Sequence, residues 1–513
     1  MDELSLEKRL VNRILREKKS PQLEEFLLGF LESVREGHLC SKIDDPSLLP
    51  SDVVSIGDEQ TPFPEKPLVL QENRLYLQRN WALESLIVHK AAELSSRTPV
   101  VLDRHRFEQA LTSMQETLQP GQKKAIERAY DQMFSLFTGG PGTGKTYTAG
   151  CFIRLLAACH PTPPFKVVIA APTGKAAAHL ESSLKAQSSL YFHCESMTLH
   201  RLLKLYPGQH RFFSDRLIDA DLVVVDEASM IDVSLMLHLL NSIGPETRLL
   251  LLGDPNQLPP VEAGSLFAEM AELLGHPLER SMRTADPFLL SLAEAIQKGD
   301  IQPIREAITP FPNSLIEELC RRLHSPIHSV SPDPMGCLQE QKRFRILCAL
   351  RQGPLGVDAL NRELIHRFER QLGPADWLSI PILITQNDPR RQLYNGTMGV
   401  LIQQARGTQG TAYLMTGDQV RAFPVNALPH FEAAFCLSVH KSQGSEFEEV
   451  MILFPPGSER FGKEALYTAV TRAKRKAMLM GDAALLEEAL KMPLRKRSGF
   501  TERFLAFKQK LCC

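Results

Sequence analysis

MFSLFTGGPGTGKTYTAGCFIRLLAAC (Met133–Cys159) is the stretch that decides the fold. MFSLF (Met133–Phe137) is short and apolar, as a buried strand requires, and TAGCFIRLLAAC (Thr148–Cys159) has the length of an apolar helix. Between them Gly139-Gly140-Pro141-Gly142-Thr143-Gly144-Lys145-Thr146 fits the phosphate-binding pattern G-x-x-x-x-G-K-[ST]. Glycines let consecutive backbone N–H groups turn inward onto phosphate oxygens, at the start of a helix whose dipole favours anions. Lys145 is placed to reach the β- and γ-phosphates, and the Thr146 hydroxyl to ligate Mg²⁺. Strand, loop and helix in this order predict a nucleoside triphosphate site. The use made of the energy has to be read elsewhere.

At 513 residues the chain is too long for one core, so several domains are expected. Its 43% hydrophobic and 23% charged residues are those of an ordinary soluble globular protein. With 59 basic against 60 acidic side chains, bulk charge gives no sign of nucleic acid, and any such site must be a local groove. MDELSLEKRLVNRILREKK at the N-terminus mixes charged and apolar residues and lacks the apolar centre of a signal peptide. No uninterrupted apolar run is long enough to span a membrane. The 10 cysteines are scattered without a C-x-x-C pair, which argues against a zinc site or a disulfide framework and fits a reducing cytoplasm.

The predicted fold class is α/β: two domains of alternating strands and helices with parallel sheets, a mostly helical N-terminal domain and a small β insertion. Residues 1–115 carry helical apolar spacing, as in LEEFLLGFLESV (Leu23–Val34), with two short strands read in PLVLQENRLYLQRNW (Pro67–Trp81). Residues 116–324 alternate strands and helices. KVVIAA (Lys166–Ala171), DLVVVD (Asp221–Asp226) and RLLLLGD (Arg248–Asp254) join the strand before the loop as continuous apolar runs, the mark of a parallel sheet covered on both faces. Residues 325–340, rich in Pro and Ser, are expected to be a linker, 341–505 a second alternating domain, and 506–513 a loose tail. Within the second domain, 396–430 shows short strands broken by Gly turns.

Further motifs carry chemistry. Asp226 and Glu227 end an apolar strand, where one carboxylate can hold Mg²⁺ and the next orient an attacking water. LLGDPNQLPPVEAGS (Leu251–Ser265) sets Gln257 in a tight loop, from which its amide can bond the γ-phosphate or the water. SMRT (Ser281–Thr284) and YTAVTRAKRK (Tyr467–Lys476) supply Arg283 and Arg472, cations suited to the charge that spreads over a transferring phosphoryl group. LSVHKSQGSEF (Leu437–Phe447) gathers His440, Lys441, Gln443 and Glu446 around Gly444, as an interdomain loop between nucleotide and polymer backbone would. APTGKAAAHL (Ala171–Leu180) and TLHRLL (Thr198–Leu203) place Thr, Lys or His where helix starts contact phosphates without reading bases.

In this order, with Gln122 in LQPGQKKAI ahead of them, these segments resemble superfamily 1 helicases of the 5′→3′ branch. FRILCALRQGPLGVDALN (Phe344–Asn361), PILITQNDPRRQLYNGTMGVL (Pro381–Leu401), SLAEAIQKGD (Ser291–Asp300), GHLCSKI (Gly37–Ile43) and ENRLYLQRNW (Glu72–Trp81) narrow the resemblance to the RecD family, the alpha subunits of exodeoxyribonuclease V. The resemblance implies two RecA-like motor domains, ATP and Mg²⁺ as cofactors, and 5′→3′ movement on single-stranded DNA with unwinding of duplex DNA. It implies RecB-like and RecC-like partner subunits, the N-terminal block being the docking region, and no membrane. Gln122 would read the adenine edge and Glu446 contact the ribose. Thr173, His200, Asn395 and His440 would line the single-strand track. The segment 200–215 would be a hairpin insertion and 396–430 an SH3-like one. Two rivals stand beside this: a stand-alone long-form relative, and a P-loop switch or assembly ATPase that does not unwind. The acidic residues outside the motor motifs form no nuclease constellation, so nuclease activity would belong to a partner.

Overall fold

The computed structural model describes residues 6–15, 20–59, 63–100, 102–114, 117–160, 164–174, 176–177, 180, 192–205, 216–260, 262–278, 286–323, 326–388, 390–405, 410–416, 419–492 and 496–512. Two parallel sheets form its centre. The first has six strands, in the order Gly275–Pro277, Phe134–Thr138, Arg248–Gly253, Leu222–Val225, Phe165–Ala171, Phe192–Thr198, every neighbour parallel. The second has five, in the order Ile308–Thr309, Ala473–Gly481, Phe447–Phe454, Phe344–Cys348, Cys436–Ser438, again all parallel. The apolar runs predict the first of these sheets, and the pair matches the two RecA-like domains that the resemblance implies.

The first sheet shows why those runs are continuous rather than alternating. Val223, Val225, Leu249 and Leu251 enter one apolar core, and Leu222, Val224, Leu250 and Leu252 enter another on the opposite face. A strand covered by helices on both sides has no wet face on which to place polar residues. The same arithmetic moves the first boundary. Residues 6–77 hold a core of their own, built on Leu27, Phe30, Leu68 and Leu75. The helix Gln78–Ser96, however, gives Leu83, Ile87, Val88 and Ala91 to one core of the first sheet, and the helix Arg104–Ser113 gives Phe107 and Leu111 to the other. The N-terminal unit expected to run to 115 therefore ends, as a core, near 77. Its two expected strands are present as Leu68–Gln71 and Arg74–Leu77, antiparallel across a turn in which Glu72 takes a positive φ.

The end of the first alternating domain also moves. Leu289, Leu292, Ile296 and Ile304, from the helices Pro287–Lys298 and Ile301–Ala307, pack in the core of the second sheet, to which Ile308–Thr309 adds an edge strand. Uniform strand–helix alternation left the sequence no punctuation at this crossing. The stretch read as a linker is ordered: Ile327–His328 pairs with Trp377–Leu378, and a helix runs Pro334–Arg343. Asp333 caps that helix through the N–H groups of Met335 and Gly336, so the Asp-Pro pair is a helix start. The short strands expected in the β segment are present as Met398–Gln404, Thr411–Thr416 and Gln419–Pro424 and pair antiparallel, but their sheet takes in Trp377–Ile384 and Ile327–His328 as well. Of the 200–215 hairpin, residues 206–215 lie outside the described residues.

Residues 506–512, read as a tail, are the second half of the helix Phe500–Cys512. Phe500 and Phe504 are buried in the same core as Leu83 and Ile87. The chain's end thus returns to the helix Gln78–Ser96 and closes one face of the first motor. Arg503 locks it: the guanidinium bonds Glu59 at 2.6 and 3.1 Å and the fully buried Glu84 at 2.8 Å, and lies 3.7 Å over the Trp81 ring.

Candidate nucleotide site

The phosphate-binding loop joins the strand Phe134–Thr138 to the helix Lys145–Cys159, whose N-cap is Gly144 at φ 81°. That left-handed backbone favours glycine, and space demands it too: a Cβ on Gly144 would stand 2.6 Å from Gln122 Nε2. At Gly140 a Cβ would come 3.0 Å from the Tyr467 hydroxyl. The loop is therefore gripped from both sides, by Gln122 of its own domain and by the second motor. Gln122 is buried, with Oε1 accepting from Gln119 N at 3.1 Å and Nε2 donating to Thr143 O at 3.4 Å. Thr143 Oγ1 and Lys145 Nζ both donate to Gly140 O, and Lys145 also to Gly139 O at 2.7 Å.

Three carboxylates line the strand ends beside the loop. Asp226 follows Leu222–Val225; burial first, then the charge of Glu227, push it up to about 7, while the Glu227 N–H and the Lys145 charge work the other way. Glu227 is held at φ 52°, ψ 40°, a left-handed conformation that costs a non-glycine residue about 1–3 kcal/mol. Its N–H donates to Asp226 Oδ1 at 2.8 Å, and a Cβ on Gly444 would come within 3.9 Å of its Oε1, which sets it facing the second motor's loop. Asp254 follows Arg248–Gly253 and is buried, which raises its pKa against the lowering charge of Lys145. It accepts Asn256 N at 3.0 Å on Oδ1, and on Oδ2 both Gln257 Nε2 at 3.3 Å and the Tyr467 hydroxyl at 3.0 Å.

The two motors meet at this loop. Thr468 Oγ1 accepts Leu258 N at 2.8 Å, and Gln443 Nε2 donates to Leu258 O at 2.9 Å. On the same helix turn Thr468 O accepts Arg472 Nε at 3.0 Å. Arg472 is buried: desolvation disfavours its charge, and the charges of Glu227 and Asp254 favour it. Gln257 keeps its Oε1 buried with no hydrogen-bond partner among the described residues. Glu446 lies at the rim, 3.9 Å from Lys474. Arg283 falls outside the described residues.

Of the expected single-strand contacts, two come together across the motors. Thr173 caps its own turn through Ala176 N, and its neighbour Gly174 packs against the Tyr394 ring, where a Cβ would stand 3.1 Å away. Asn395 follows Tyr394 and donates its backbone N–H to Asn387 Oδ1 at 2.8 Å. His200 lies on the short helix after Phe192–Thr198, which pairs with Phe165–Ala171 so that Thr198 stands beside Ala171, at the same sheet edge as Thr173. His440 is placed differently, edge-on to Phe461 with centroids 6.1 Å apart, its pKa lowered by burial and then by the charge of Lys496.

Residues 122–263 match the AAA domain family, and residues 433–480 the UvrD-like helicase C-terminal domain. The RecBCD enzyme subunit RecD of Mycolicibacterium smegmatis is 32% identical over 477 residues, covering 84% of this chain and 82% of that one. The chain belongs to the RecD family. The RecD subunit of Mycobacterium tuberculosis H37Rv is 33% identical over 481 residues, with 85% and 81% covered. The ATP-dependent RecD2 DNA helicase of Deinococcus radiodurans is 29% identical over 389 residues, which are 71% of this chain and 49% of that one. Among solved structures, the Pif1 helicase from Bacteroides in complex with ADP-AlF3 and ssDNA aligns with a TM-score of 0.43 at 15% identity, over 77% of this chain and 97% of that one.

Asp254, Tyr467, Thr468 and Lys496 carry contacts at this site that sequence reasoning did not single out. The first three stand inside motifs already quoted, but no spacing rule says that a motif tyrosine reaches across to a motif aspartate. Lys496 follows every motif. Its Nζ donates at 2.8 Å to both Pro260 O and Glu262 O, behind Gln257.

Proposed function

We infer that this RecD-family chain is an ATP-dependent DNA helicase, the motor subunit of a RecBCD-type assembly with RecB-like and RecC-like partners, moving 5′→3′ on single-stranded DNA and unwinding duplex DNA ahead of it. The observation that carries this is the seam itself. One loop, Asp254–Leu258, is held by a phosphate-loop domain on one side and by Tyr467, Thr468 and Gln443 of a second motor on the other. A simple nucleotide switch has no need of such a second domain. RecD subunits align with 84–85% of this chain at 32–33% identity, against 71% at 29% identity for the RecD2 helicase, which favours the subunit over the stand-alone form.

The residues present fit ATP. A glycine loop too tight for a Cβ opens a fifteen-residue helix, and Lys145 and two buried carboxylates surround it. The backbone N–H groups from Gly139 through Thr146, with Pro141 shaping the turn, would cradle phosphates, and Gln122 and Glu446 would recognise base and sugar. Thr146 and Asp226 would hold Mg²⁺, which when bound neutralises phosphate charge. Lys145 supplies fixed positive charge. Glu227 accepts a proton from the attacking water and orients it; Gln257 bonds the phosphate or the water; Arg283 and Arg472 stabilise charge on the transferring group. Because Arg472 and the Gln257 loop share the Thr468 turn, a change at the nucleotide shifts the second motor, and with it the Asn395 loop against Thr173 and His200. Grip on the strand through backbone and stacking contacts is salt-dependent and largely sequence-independent. We place the chain in the cytoplasm; seven free cysteines among the described residues suit a reducing compartment. None of the described helices is long and apolar enough to cross a membrane.

ATP turnover measured with and without oligo(dT) tests this reading. Stimulation by the single strand, falling as salt rises, is expected; turnover indifferent to DNA would leave a switch ATPase.

A further inference from the structure

Tyr467 is buried on the helix Gly462–Val470 of the second motor, yet its phenol head belongs to the first. The hydroxyl donates to Asp254 Oδ2 at 3.0 Å and stands 3.0 Å from where a Cβ on Gly140 would be, so it rests on the phosphate-binding loop. The same Oδ2 takes the Gln257 amide at 3.3 Å. One carboxylate oxygen thus receives two donors, one from each motor.

We propose that Tyr467 is a positioning residue for ATP hydrolysis: through Asp254 it ties the closure of the second motor to the placement of Gln257. The inference rests on the helicase reading above and gives that site its link between domains. Asp254 is fully enclosed, so its carboxylate needs its donors. When the Gln257 amide leaves Oδ2 for the phosphate or the water, the Tyr467 hydroxyl and the Asn256 N–H keep that carboxylate bonded. Gln257 can then move without stranding a buried charge, but only while the second motor is docked. The next residue completes the device: Thr468 holds Leu258 N through its hydroxyl and Arg472 Nε through its carbonyl. Docking of one helix turn therefore sets the sensing amide and the arginine together. Tyr467 touches no reacting atom; it acts through Asp254.

The test is Tyr467→Phe in the full chain, alone and assembled with its partner subunits, with oligo(dT) as the strand and adenylyl imidodiphosphate as the uncleaved nucleotide. Phenylalanine keeps the ring and removes one bond. DNA-stimulated kcat is expected to fall about tenfold with KM for ATP within about twofold, the pattern of an interaction used after binding. The change in oligo(dT) affinity that the nucleotide analogue produces in the unaltered chain should vanish in the variant, although each ligand still binds alone. Y467F combined with Gln257→Ala should be no slower than Q257A by itself. A purely structural role would lower stability without abolishing that nucleotide–DNA coupling. Wild-type kcat in Y467F, or losses that multiply in the double variant, would overturn the proposal. If Y467F does not purify folded, Thr468→Val loosens the same seam and must show the same loss in kcat alone; an unchanged kcat there overturns it equally. An unaltered chain without DNA-stimulated turnover would remove the helicase reading and this inference together, whereas stimulated turnover beside an indifferent Y467F removes this inference alone.

Discussion

Lys145→Gln is expected to leave a folded chain with no measurable DNA-stimulated ATP turnover, a loss of about 10³-fold or more, the scale of removing a preorganised cation from a transferring phosphoryl group. The structure separates the two parts of that statement. Lys145 opens the helix Lys145–Cys159 and, among the described residues, donates to the loop carbonyls of Gly139 and Gly140 rather than to any core group. Glutamine is a comparable helix former and can keep one of those bonds. Its amide has no charge to place against phosphate, nor to offset the buried Asp226 and Asp254, both of which feel the Lys145 charge. Melting should therefore stay within a few degrees of the unaltered chain, as for a surface-scale change. Steady-state ATPase with oligo(dT), alongside a melting curve, checks both halves, and retained turnover would contradict the loop's assignment.

Arg503→Met should cost the fold about 3–5 kcal/mol, because removing one partner of a buried ion pair leaves the other uncompensated. Glu84 is fully buried and, among the described residues, would keep the Tyr76 hydroxyl at 3.2 Å and the Gly499 N–H at 3.1 Å. The sign of the pH dependence follows. Burial already favours the protonated form of Glu84, and without Arg503 its folded pKa rises further above the unfolded value. A carboxyl raised in this way destabilises the fold at high pH and is relieved as pH falls, so the variant should regain stability on acidification from pH 8. Glu59 behaves oppositely in the unaltered chain. Burial would raise it, but His89 and Arg503 bring it down to about 2, so its contribution is complete above the unfolded value and lost as pH falls through about 2. Adding Glu84→Gln to R503M should restore part of the loss, since Glu84 is then no longer a stranded charge while Glu59 keeps His89 beside it. Chemical denaturation of the single and double variants at two pH values measures this; a double variant weaker than R503M would show that Arg503 acts through its stacking on Trp81 instead.

What was legible in the sequence follows the range of the forces involved. The four apolar runs of the first sheet and the phosphate loop are local, and both took shape where periodicity placed them. Boundaries were not local. Nothing within residues 78–113 says that Ile87 and Phe107 end up on opposite faces of a sheet that begins at Phe134. The Pro-rich stretch near 330 read as a linker because proline marks both loops and the first turn of a helix, and Asp333-Pro334 is the second kind. The closing helix Phe500–Cys512 looked like a tail because its partners, Glu59 and Glu84, lie more than four hundred positions away in the chain. At the site, single residues in loops could be named from their chemistry. Gln257, Arg472 and Glu227 lie around one seam between the two domains, whereas the Tyr467–Asp254 bond depends on how those domains dock, which no one-dimensional spacing encodes. His440, which the resemblance sets on the strand track, has its described ring contact with Phe461.

The central claim, a motor that moves 5′→3′ along one strand and opens the duplex ahead of it, is tested most directly by strand displacement. Duplexes bearing a 5′ single-stranded tail or a 3′ tail are offered to the chain with ATP and Mg²⁺, alone and then with its RecB-like and RecC-like partners carrying inactivated motors. Displacement from the 5′-tailed duplex that requires ATP and is absent with Lys145→Gln is the predicted result; displacement from the 3′-tailed duplex only, or from neither, would contradict it.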